Sequence, residues 1–227
     1  MRKKGVFFVL FLVLFLLAAC GGQAERDFKD AQWGMTMDEV IQLEESNSNS
    51  LYEEDSSSYG GGMELRYDDM FINGKEADVV YTFYREVDNY SVIFPETFYK
   101  GGVEFFNKLS DDSLSDEEYE QLNDEFEKKN KANIEKIENM PDTFVFDDYL
   151  LIEGDYYFRN LDEKDSEELL ESLMDTYGEP PYENEGYYRW YTGRTEIYFN
   201  GEDYISYTAD YLAIEKYIKT NSGVSDL

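Results

Sequence analysis

The apolar residues of this chain recur at helical spacing in some segments and at every second position in others. The first helix is predicted after Thr36, because Glu39 lies three residues later and completes a capping box. Its apolar side follows at Met37, Val40 and Ile41, which share one face of a helix. Helical and strand-like segments then alternate along the rest of the chain.

Three further helices are predicted from spacing and from end signals. The longest covers residues 115–139, begins with a Ser-x-x-Glu capping box and stops before Pro141. A third helix is predicted over 166–177, with Asp165 as its cap and a Gly-x-Pro-Pro segment after it. A short C-terminal helix is predicted over 212–219.

Two β-hairpins are predicted around Asn73-Gly74 and Asn200-Gly201. In the first hairpin, the apolar sets that contain Tyr67 and Val79 should share one buried face. A two-residue turn alone would place Tyr67 opposite Val80 and would separate the two sets. We therefore predict an odd loop count in both hairpins, through either a three-residue turn or a β-bulge.

Other segments predict the remaining strands of the sheet. Residues 149–158 form a β segment that turns near Gly154, and residues 90–94 are an alternative for the third strand. Residues 46–62 are rich in Ser, Asn and Gly and predict a loop, with a short strand near Leu51-Tyr52. The last strands are predicted at 187–190, 196–199 and 204–211. Together these elements predict an α+β fold in which helices pack on one face of an antiparallel sheet.

The first twenty residues have the pattern of an export signal. Three basic residues at 2–4 precede an unbroken apolar run over 5–19, and Cys20 follows two alanines. With Leu17 three residues before Cys20, the segment resembles a bacterial lipobox, in which the cysteine receives a diacylglycerol and becomes the first mature residue. Residues 1–19 are therefore predicted to be a lipoprotein signal peptide, and the protein is expected on the outer face of the cell membrane.

Two other interpretations of this segment stay open. One is an ordinary secretory signal cut near Ala19, which would leave Cys20 as a free thiol. The other is an uncleaved membrane span, although the 15 residues of the run fall short of a bilayer span, which needs ~20. Beyond the signal, residues 20–30 are predicted as a polar tether, 31–220 as one domain and 221–227 as a tail.

Charge and composition narrow the set of partners. The chain has 20 Lys and Arg against 51 Asp and Glu, and loss of the three basic signal residues leaves a formal charge of −34. Its aromatic content of 17% indicates a folded protein, since disordered acidic chains are poor in aromatic residues. Nucleic acid is not an expected partner, because binding it requires clustered Lys and Arg. The charge favours a monomer and attracts cationic peptides, divalent metal ions and basic protein surfaces.

The residue types leave few routes to catalysis. The chain has no histidine and its one cysteine is Cys20, so Ser-His-Asp and Cys-His arrangements are excluded. Acidic runs such as Asp116-Glu117-Glu118 do not match the spaced calcium-loop pattern. We therefore predict no metal site and no cofactor, apart from the covalent diacylglycerol on Cys20, and we do not expect an enzyme.

Aromatic residues are the candidates for binding. The chain has 21 tyrosines, several of them adjacent in pairs whose members must face opposite sides of a strand. Trp190, Tyr188 and Tyr157 are the candidate residues for an aromatic platform that would bind a polysaccharide. The same residues also fit a packing role, because tyrosine suits half-buried strands. An exposed row of three or more coplanar rings would favour the platform.

The order of several short segments resembles a family of uncharacterised bacterial lipoproteins and secreted proteins. The segments are Trp33-Gly34-Met35 at a helix start, Tyr177-Gly178-Glu179-Pro180 at a helix end, Trp190, Thr195-Glu196-Ile197 and Ile205-Ser206-Tyr207. The resemblance implies helices packed on an antiparallel sheet, in a layout similar to outer-membrane assembly lipoproteins and β-lactamase inhibitor proteins. It implies no catalytic residues. In the family the third strand follows the hairpin closely, so residues 87–148 would be an insertion that contains the long helix.

These observations predict a lipid-anchored extracytoplasmic protein that acts as a non-catalytic interaction module of the cell envelope. Its partner would be an envelope protein or a wall polymer. A carbohydrate- or calcium-binding surface receptor is the alternative, and a carboxylate-based hydrolase is ranked last.

Overall fold

A computed structural model of the protein describes residues 27–56, 61–88, 105, 114–184 and 186–221. This part of the chain forms one antiparallel sheet of eight strands, together with four helices, which confirms the predicted α+β class. The strands are β1 (Glu53–Ser56), β2 (Met63–Ile72), β3 (Lys75–Asp88), β4 (Thr143–Phe158), β5 (Tyr182–Asn184), β6 (Tyr187–Tyr191), β7 (Thr195–Phe199) and β8 (Tyr204–Ala209). The helices are α1 (Met37–Ser46), α2 (Asp116–Glu138), α3 (Glu163–Tyr177) and α4 (Tyr211–Asn221). None of these four is long and apolar enough to cross a membrane.

The sheet consists of two four-stranded meanders that meet edge to edge. Its strand order is β1-β2-β3-β4-β8-β7-β6-β5, so each meander begins at an outer edge and ends in the middle. Helix α3 carries the chain from β4 at the centre to β5 at the far edge. The pairing of β4 with β8 therefore joins parts of the chain that are distant in sequence.

Strand β4 continues the first hairpin and passes through Gly154 without a turn. It pairs with β3 from Asp88 and Thr143 onward, so residues 149–158 belong to the strand beside the hairpin. The alternative at 90–94 lies outside the described residues. The predicted turn at Gly154 is wrong, because Gly154 pairs with Tyr81 and Tyr207 inside one continuous strand. The Phe28 ring occupies the space where a side chain at Gly154 would lie. The glycine marks a close approach of a ring to a strand.

The first hairpin contains both a tight turn and a bulge. Ile72 pairs with Lys75 across two residues, so a three-residue turn is wrong at this site. The register shifts between Tyr67 and Met70, where two residues lie opposite one, and Tyr67 consequently pairs with Val79. The bulge places both apolar sets on one face, which confirms the bulge alternative for this hairpin.

The second hairpin has an odd loop, as predicted. Phe199 pairs with Ile205, and the Asn200 N–H donates to the Tyr204 carbonyl at 3.1 Å. Three residues, 201–203, therefore form the turn. The Asn200 side-chain oxygen accepts from the backbone N–H groups of Glu202 and of the two residues after it, at 2.9 to 3.0 Å.

Side-chain caps define the starts of the helices. Thr36 and Glu39 form both halves of the capping box at α1, as predicted. Helix α3 begins at Glu163, earlier than predicted, because Asp162 is its N-cap. Asp165, the predicted cap, is instead the third helical residue and accepts from the Asp162 N–H at 3.3 Å.

The core lies on one face of the sheet, here called the apolar face, with Phe28 at its centre. The Phe28 ring centroid lies 4.8 Å from that of Tyr156, 5.2 Å from that of Tyr81 and 5.4 Å from that of Tyr207. Helices α1, α3 and α4 add buried residues to the same cluster, namely Val40, Leu169, Leu173, Ala213 and Ile214. Because Phe28 belongs to the core, the packed body includes residues that were predicted as part of the tether.

Polar bonds hold the segment around Phe28, residues 27–35, which we call the N-terminal strap. The Arg194 guanidinium donates two hydrogen bonds to the Asp27 carboxylate, at 2.7 and 2.8 Å. The Trp33 indole N–H donates to Thr195 Oγ1 at 2.8 Å, in the buried interior. The strap is thereby attached to the region of β7, more than 160 residues later in the chain.

A buried carboxylate joins the strap to α1 and the sheet. Glu44 is fully buried and accepts hydrogen bonds from Lys29 Nζ at 2.6 and 2.7 Å, from Asn49 Nδ2 at 2.5 Å and from the Tyr81 hydroxyl. A buried charge is tolerated when it is paired and hydrogen-bonded in this way. Glu44 thus fixes the position of α1 on the apolar face.

Candidate binding face of the sheet

The face of the sheet opposite the core carries a regular array of polar side chains. One row of directly paired residues crosses five adjacent strands: Glu64, Thr82, Glu153, Thr208 and Glu196. The next row contains Arg66, Val80, Asp155, Ser206, Tyr198 and Arg189. We call the surface formed by these two rows, with the paired Tyr157 and Tyr204 beside them, the polar face.

Several carboxylates of the polar face and its border have an arginine partner. Arg66 lies 3.3 Å from an Asp68 oxygen and 3.5 Å from an Asp78 oxygen, and Arg159 also contacts Asp78. Arg189 donates to Glu196 Oε1 at 3.1 Å. These pairs balance the charge of the outer parts of the face.

Glu64, Glu153 and Asp155 form a group without such partners, which we call the unpaired carboxylates. None of the ion pairs in the described part of the chain includes any of the three. The Tyr204 hydroxyl donates to Asp155 Oδ1 at 2.8 Å, and the Ser206 hydroxyl donates to Glu153 Oε1 at 3.2 Å. Asp155 is only 4% exposed, so it is a nearly buried carboxyl with neutral donors alone.

The environment favours the neutral form of these carboxyls. Burial, together with the negative charge of Glu153, raises the pKa of Asp155 to about 7 against the opposing hydrogen bond from Tyr204. Burial also raises the pKa of Glu153, with a smaller contribution from the charge of Glu64. Asp155 is therefore close to half protonated at neutral pH.

A row of four tyrosines crosses the same face beside the unpaired carboxylates. Ring centroids lie 4.9 Å apart from Tyr157 to Tyr204, 6.1 Å from Tyr204 to Tyr198 and 6.1 Å from Tyr198 to Tyr187. The two outer rings, Tyr157 and Tyr187, are 41% and 45% exposed. The Arg189 guanidinium lies 5.3 Å from the Tyr198 ring centre, within the range of a cation–π contact. The rows of acid and aromatic side chains thus adjoin.

The structure divides the three predicted binding residues between the two faces. Trp190 is 2% exposed, and its indole N–H donates to the Gly178 carbonyl at 2.8 Å on the apolar face. Tyr188 stacks on Trp190 and on Phe199 on that same face. Tyr157 lies on the polar face. Cys20, the predicted lipid site, lies outside the described residues.

Sequence reasoning missed the residues of the polar face other than Tyr157. A local signal was present in β4, where Glu153 and Asp155 alternate with Gly154 and Tyr156 in an otherwise apolar segment. The alternation places the two carboxylates on one face. Nothing local indicated that β8 would bring Tyr204 beside them.

The described residues contain no group of three or more acidic, His or Cys side chains placed to hold a metal ion. The unpaired carboxylates are spread over two strands of the polar face. Glu153 and Asp155 lie two residues apart on β4, where Cα atoms are separated by ~7 Å. Glu64 lies on β2, across the strand of Thr82, and its Cα is ~10 Å from that of Glu153.

A cavity of about 570 Å³ lies elsewhere, between the start of α3 and the second hairpin turn. Leu161, Ser166, Leu170, Tyr188 and Gly201 are among its lining residues. Its acidic lining includes Asp162, whose side chain already caps α3. Glu153 and Asp155 do not line this cavity, so it does not combine with the unpaired carboxylates into one site.

Comparisons with protein-family models, with curated proteins and with solved structures find no match to this chain. The resemblance of its short segments to a lipoprotein family therefore stays a prediction.

Proposed function

We propose that this protein is an exported lipoprotein that acts by binding a partner in the cell envelope, without catalysis, through the polar face. The observation that carries the proposal is the juxtaposition of the three unpaired carboxylates with the tyrosine row. Tyrosine is enriched at protein interfaces and is frequent among the few residues that contribute most of the binding energy. The whole array lies on the scaffold of one sheet, which holds it in a fixed geometry.

The proposed anchor would keep this surface near the membrane. Six residues separate Cys20 from Asp27, where the described body begins. A fully extended linker of that length reaches roughly 20 to 25 Å. A partner of the polar face would therefore be another component of the membrane surface or the adjacent wall.

A carboxylate-based hydrolase is a second candidate, and the raised pKa of Asp155 favours it. A glycosidase needs one carboxyl that stays protonated and one that stays ionised. In this protein burial raises the pKa of both Asp155 and Glu153, whereas acid–base pairs have environments that move the two pKa values apart. For that reason binding ranks above hydrolysis.

A glycan platform is the other alternative, and the near-parallel rings of Tyr187 and Tyr198 favour it. Their planes differ by 14°. The remaining neighbours in the row differ by 61° and 37°, so the four rings do not form the coplanar surface that would favour a polysaccharide. The glycan therefore ranks below a protein partner.

Site-specific crosslinking in producing cells tests the proposal. A photoreactive phenylalanine analogue would replace Tyr157 in the full chain, and the same analogue at the exposed Tyr119 of α2 would serve as the control. We expect a discrete crosslinked product from position 157 that is absent from position 119. Cys20→Ser should in parallel reduce the membrane-bound fraction. Absence of a crosslinked product from position 157 would contradict the proposed binding. An unchanged membrane-bound fraction of Cys20→Ser would contradict the proposed anchoring.

A further inference from the structure

We propose that the occupant of the polar face is a cationic segment of a protein, whose Lys or Arg side chains bind the unpaired carboxylates and pack over Tyr157 and Tyr204. The inference rests on the proposed binding function and adds the chemical class of the partner. Its basis is charge complementarity at the three unpaired carboxylates, together with the aromatic surface beside them.

The protein's own arginines indicate what the face accepts. Arg66 and Arg159 pair with Asp78, and Arg189 pairs with Glu196, all on or beside the same surface. Among the carboxylates of the polar face, only Glu64, Glu153 and Asp155 lack an ion pair with a described residue. A guanidinium or ammonium group from a partner would give this group the same pairing.

A second observation is a buried acceptor that the fold leaves unused. Glu196 is more than nine-tenths buried, and its Oε2 has no hydrogen-bond partner among the described residues. Its other oxygen accepts from Arg189. Buried carboxylate oxygens normally have a donor, so Oε2 is a position at which an incoming donor would gain a charge-assisted bond.

The aromatic rings offer the same kind of ligand a second contact. Arg189 already lies over the Tyr198 ring, which shows that a guanidinium fits this surface. Tyr157 is exposed and its ring adjoins Tyr204, whose hydroxyl is bound to Asp155. A cationic side chain that reaches Asp155 would therefore pass beside the exposed Tyr157 ring, where cation–π attraction would add to the ion pair.

Peptide binding to the full chain, purified from membranes in detergent, tests the inference. The probe is a fluorescein-labelled peptide with six Lys and Arg residues, read by anisotropy, and an all-Glu peptide of equal length is the negative probe. The test variant combines Glu64→Gln, Glu153→Gln and Asp155→Asn. The control variant combines Glu167→Gln, Glu171→Gln and Asp175→Asn on the exposed side of α3, so that it contains the same three kinds of substitution.

We expect the test variant to bind the cationic peptide about tenfold more weakly, since up to three ion pairs are lost. The control variant should change the affinity by less than about twofold. Equal losses in both variants would overturn the inference, because they would indicate attraction by the net charge alone. Failure of the wild-type protein to bind the cationic peptide would also overturn it.

A single exposed substitution keeps the test independent of folding. Tyr157→Ala should weaken peptide binding about threefold through loss of the aromatic contact, and Tyr119→Ala should not. Equal effects of the two would contradict the inference. In a different outcome, a glycan such as chitohexaose binds the wild type and the cationic peptide does not. If Tyr157→Ala then abolishes the glycan binding, the inference fails, although the proposed binding through the polar face stands. If position 157 gives no crosslink in cells, the proposed function fails as well.

Discussion

Replacing Asp155 by asparagine is expected to make the protein more stable at pH 8 than the wild type and to flatten its pH dependence. Asparagine matches the shape of the protonated carboxyl. Its Oδ1 can still accept the hydrogen bond that the Tyr204 hydroxyl donates to Asp155 at 2.8 Å. Its amide group can donate toward Glu153, the neighbouring carboxylate whose charge raises the pKa of Asp155.

The size of the effect follows from the pKa difference. The pKa of Asp155 is about 7 in the folded protein against 3.8 for the ordinary carboxyl. Between these values the folded state holds a proton that the unfolded state has released, so the free energy of unfolding falls as the pH rises. At ~1.4 kcal/mol per pH unit the wild type should lose about 2 to 3 kcal/mol between pH 5 and pH 7, and it keeps that loss at pH 8. The asparagine side chain of the variant cannot ionise, so the variant avoids the loss.

Urea unfolding at pH 5 and at pH 8 measures this difference. Both tryptophans, Trp33 and Trp190, are buried and should report unfolding by fluorescence. The free energy of unfolding of the wild type, minus that of Asp155→Asn, should fall by about 2 to 3 kcal/mol from pH 5 to pH 8. Asp175→Asn, at an exposed position of α3, should run parallel to the wild type. Parallel pH curves for Asp155→Asn and the wild type would refute the reasoning.

Three further outcomes are expected. Gly154→Ala should destabilise the protein by about 1 to 3 kcal/mol in urea unfolding, because the new methyl overlaps the Phe28 ring; an unchanged midpoint would contradict this packing. Trp33→Phe should lower the free energy of unfolding by about 1 to 2 kcal/mol, because it leaves the Thr195 hydroxyl without its buried donor. Thr195→Val should then lower the stability of the Trp33→Phe variant by less than it lowers that of the wild type. Cys20→Ser should prevent incorporation of radiolabelled lipid, and labelling of that variant would show that another residue carries the anchor.

Local features of this fold were predictable because they depend on neighbouring residues. The capping box at Thr36 and Glu39 and the odd loop after Phe199 both follow from side chains within a few positions of each other. The start of α3 was misplaced by three residues, since Asp162 and Asp165 can each cap a helix and the choice depends on the chain before them.

The candidate site could not be predicted from the same signals, because its members meet only through the strand order. Glu153 and Asp155 are visible as an alternating pair within β4, but Tyr204 and Ser206 reach them through the pairing of β4 with β8. The two meanders can join in more than one order, and local spacing does not select one. The role of Gly154 was missed for the same reason, since its partner Phe28 arrives from outside the sheet.

The N-terminal strap has a consequence for the order in which the protein can fold as it is synthesised. Asp27 and Trp33 are among the first described residues, yet their partners Arg194 and Thr195 lie at the start of β7. A nascent chain emerging from the ribosome, or from a translocation pore, must leave the Asp27 carboxylate and the Trp33 indole without these partners until about 160 more residues have followed. Such long-range contacts slow folding and lengthen exposure to aggregation. Chains halted before residue 194 should therefore stay protease-sensitive, and protection should arise in one step once β7 and β8 are complete.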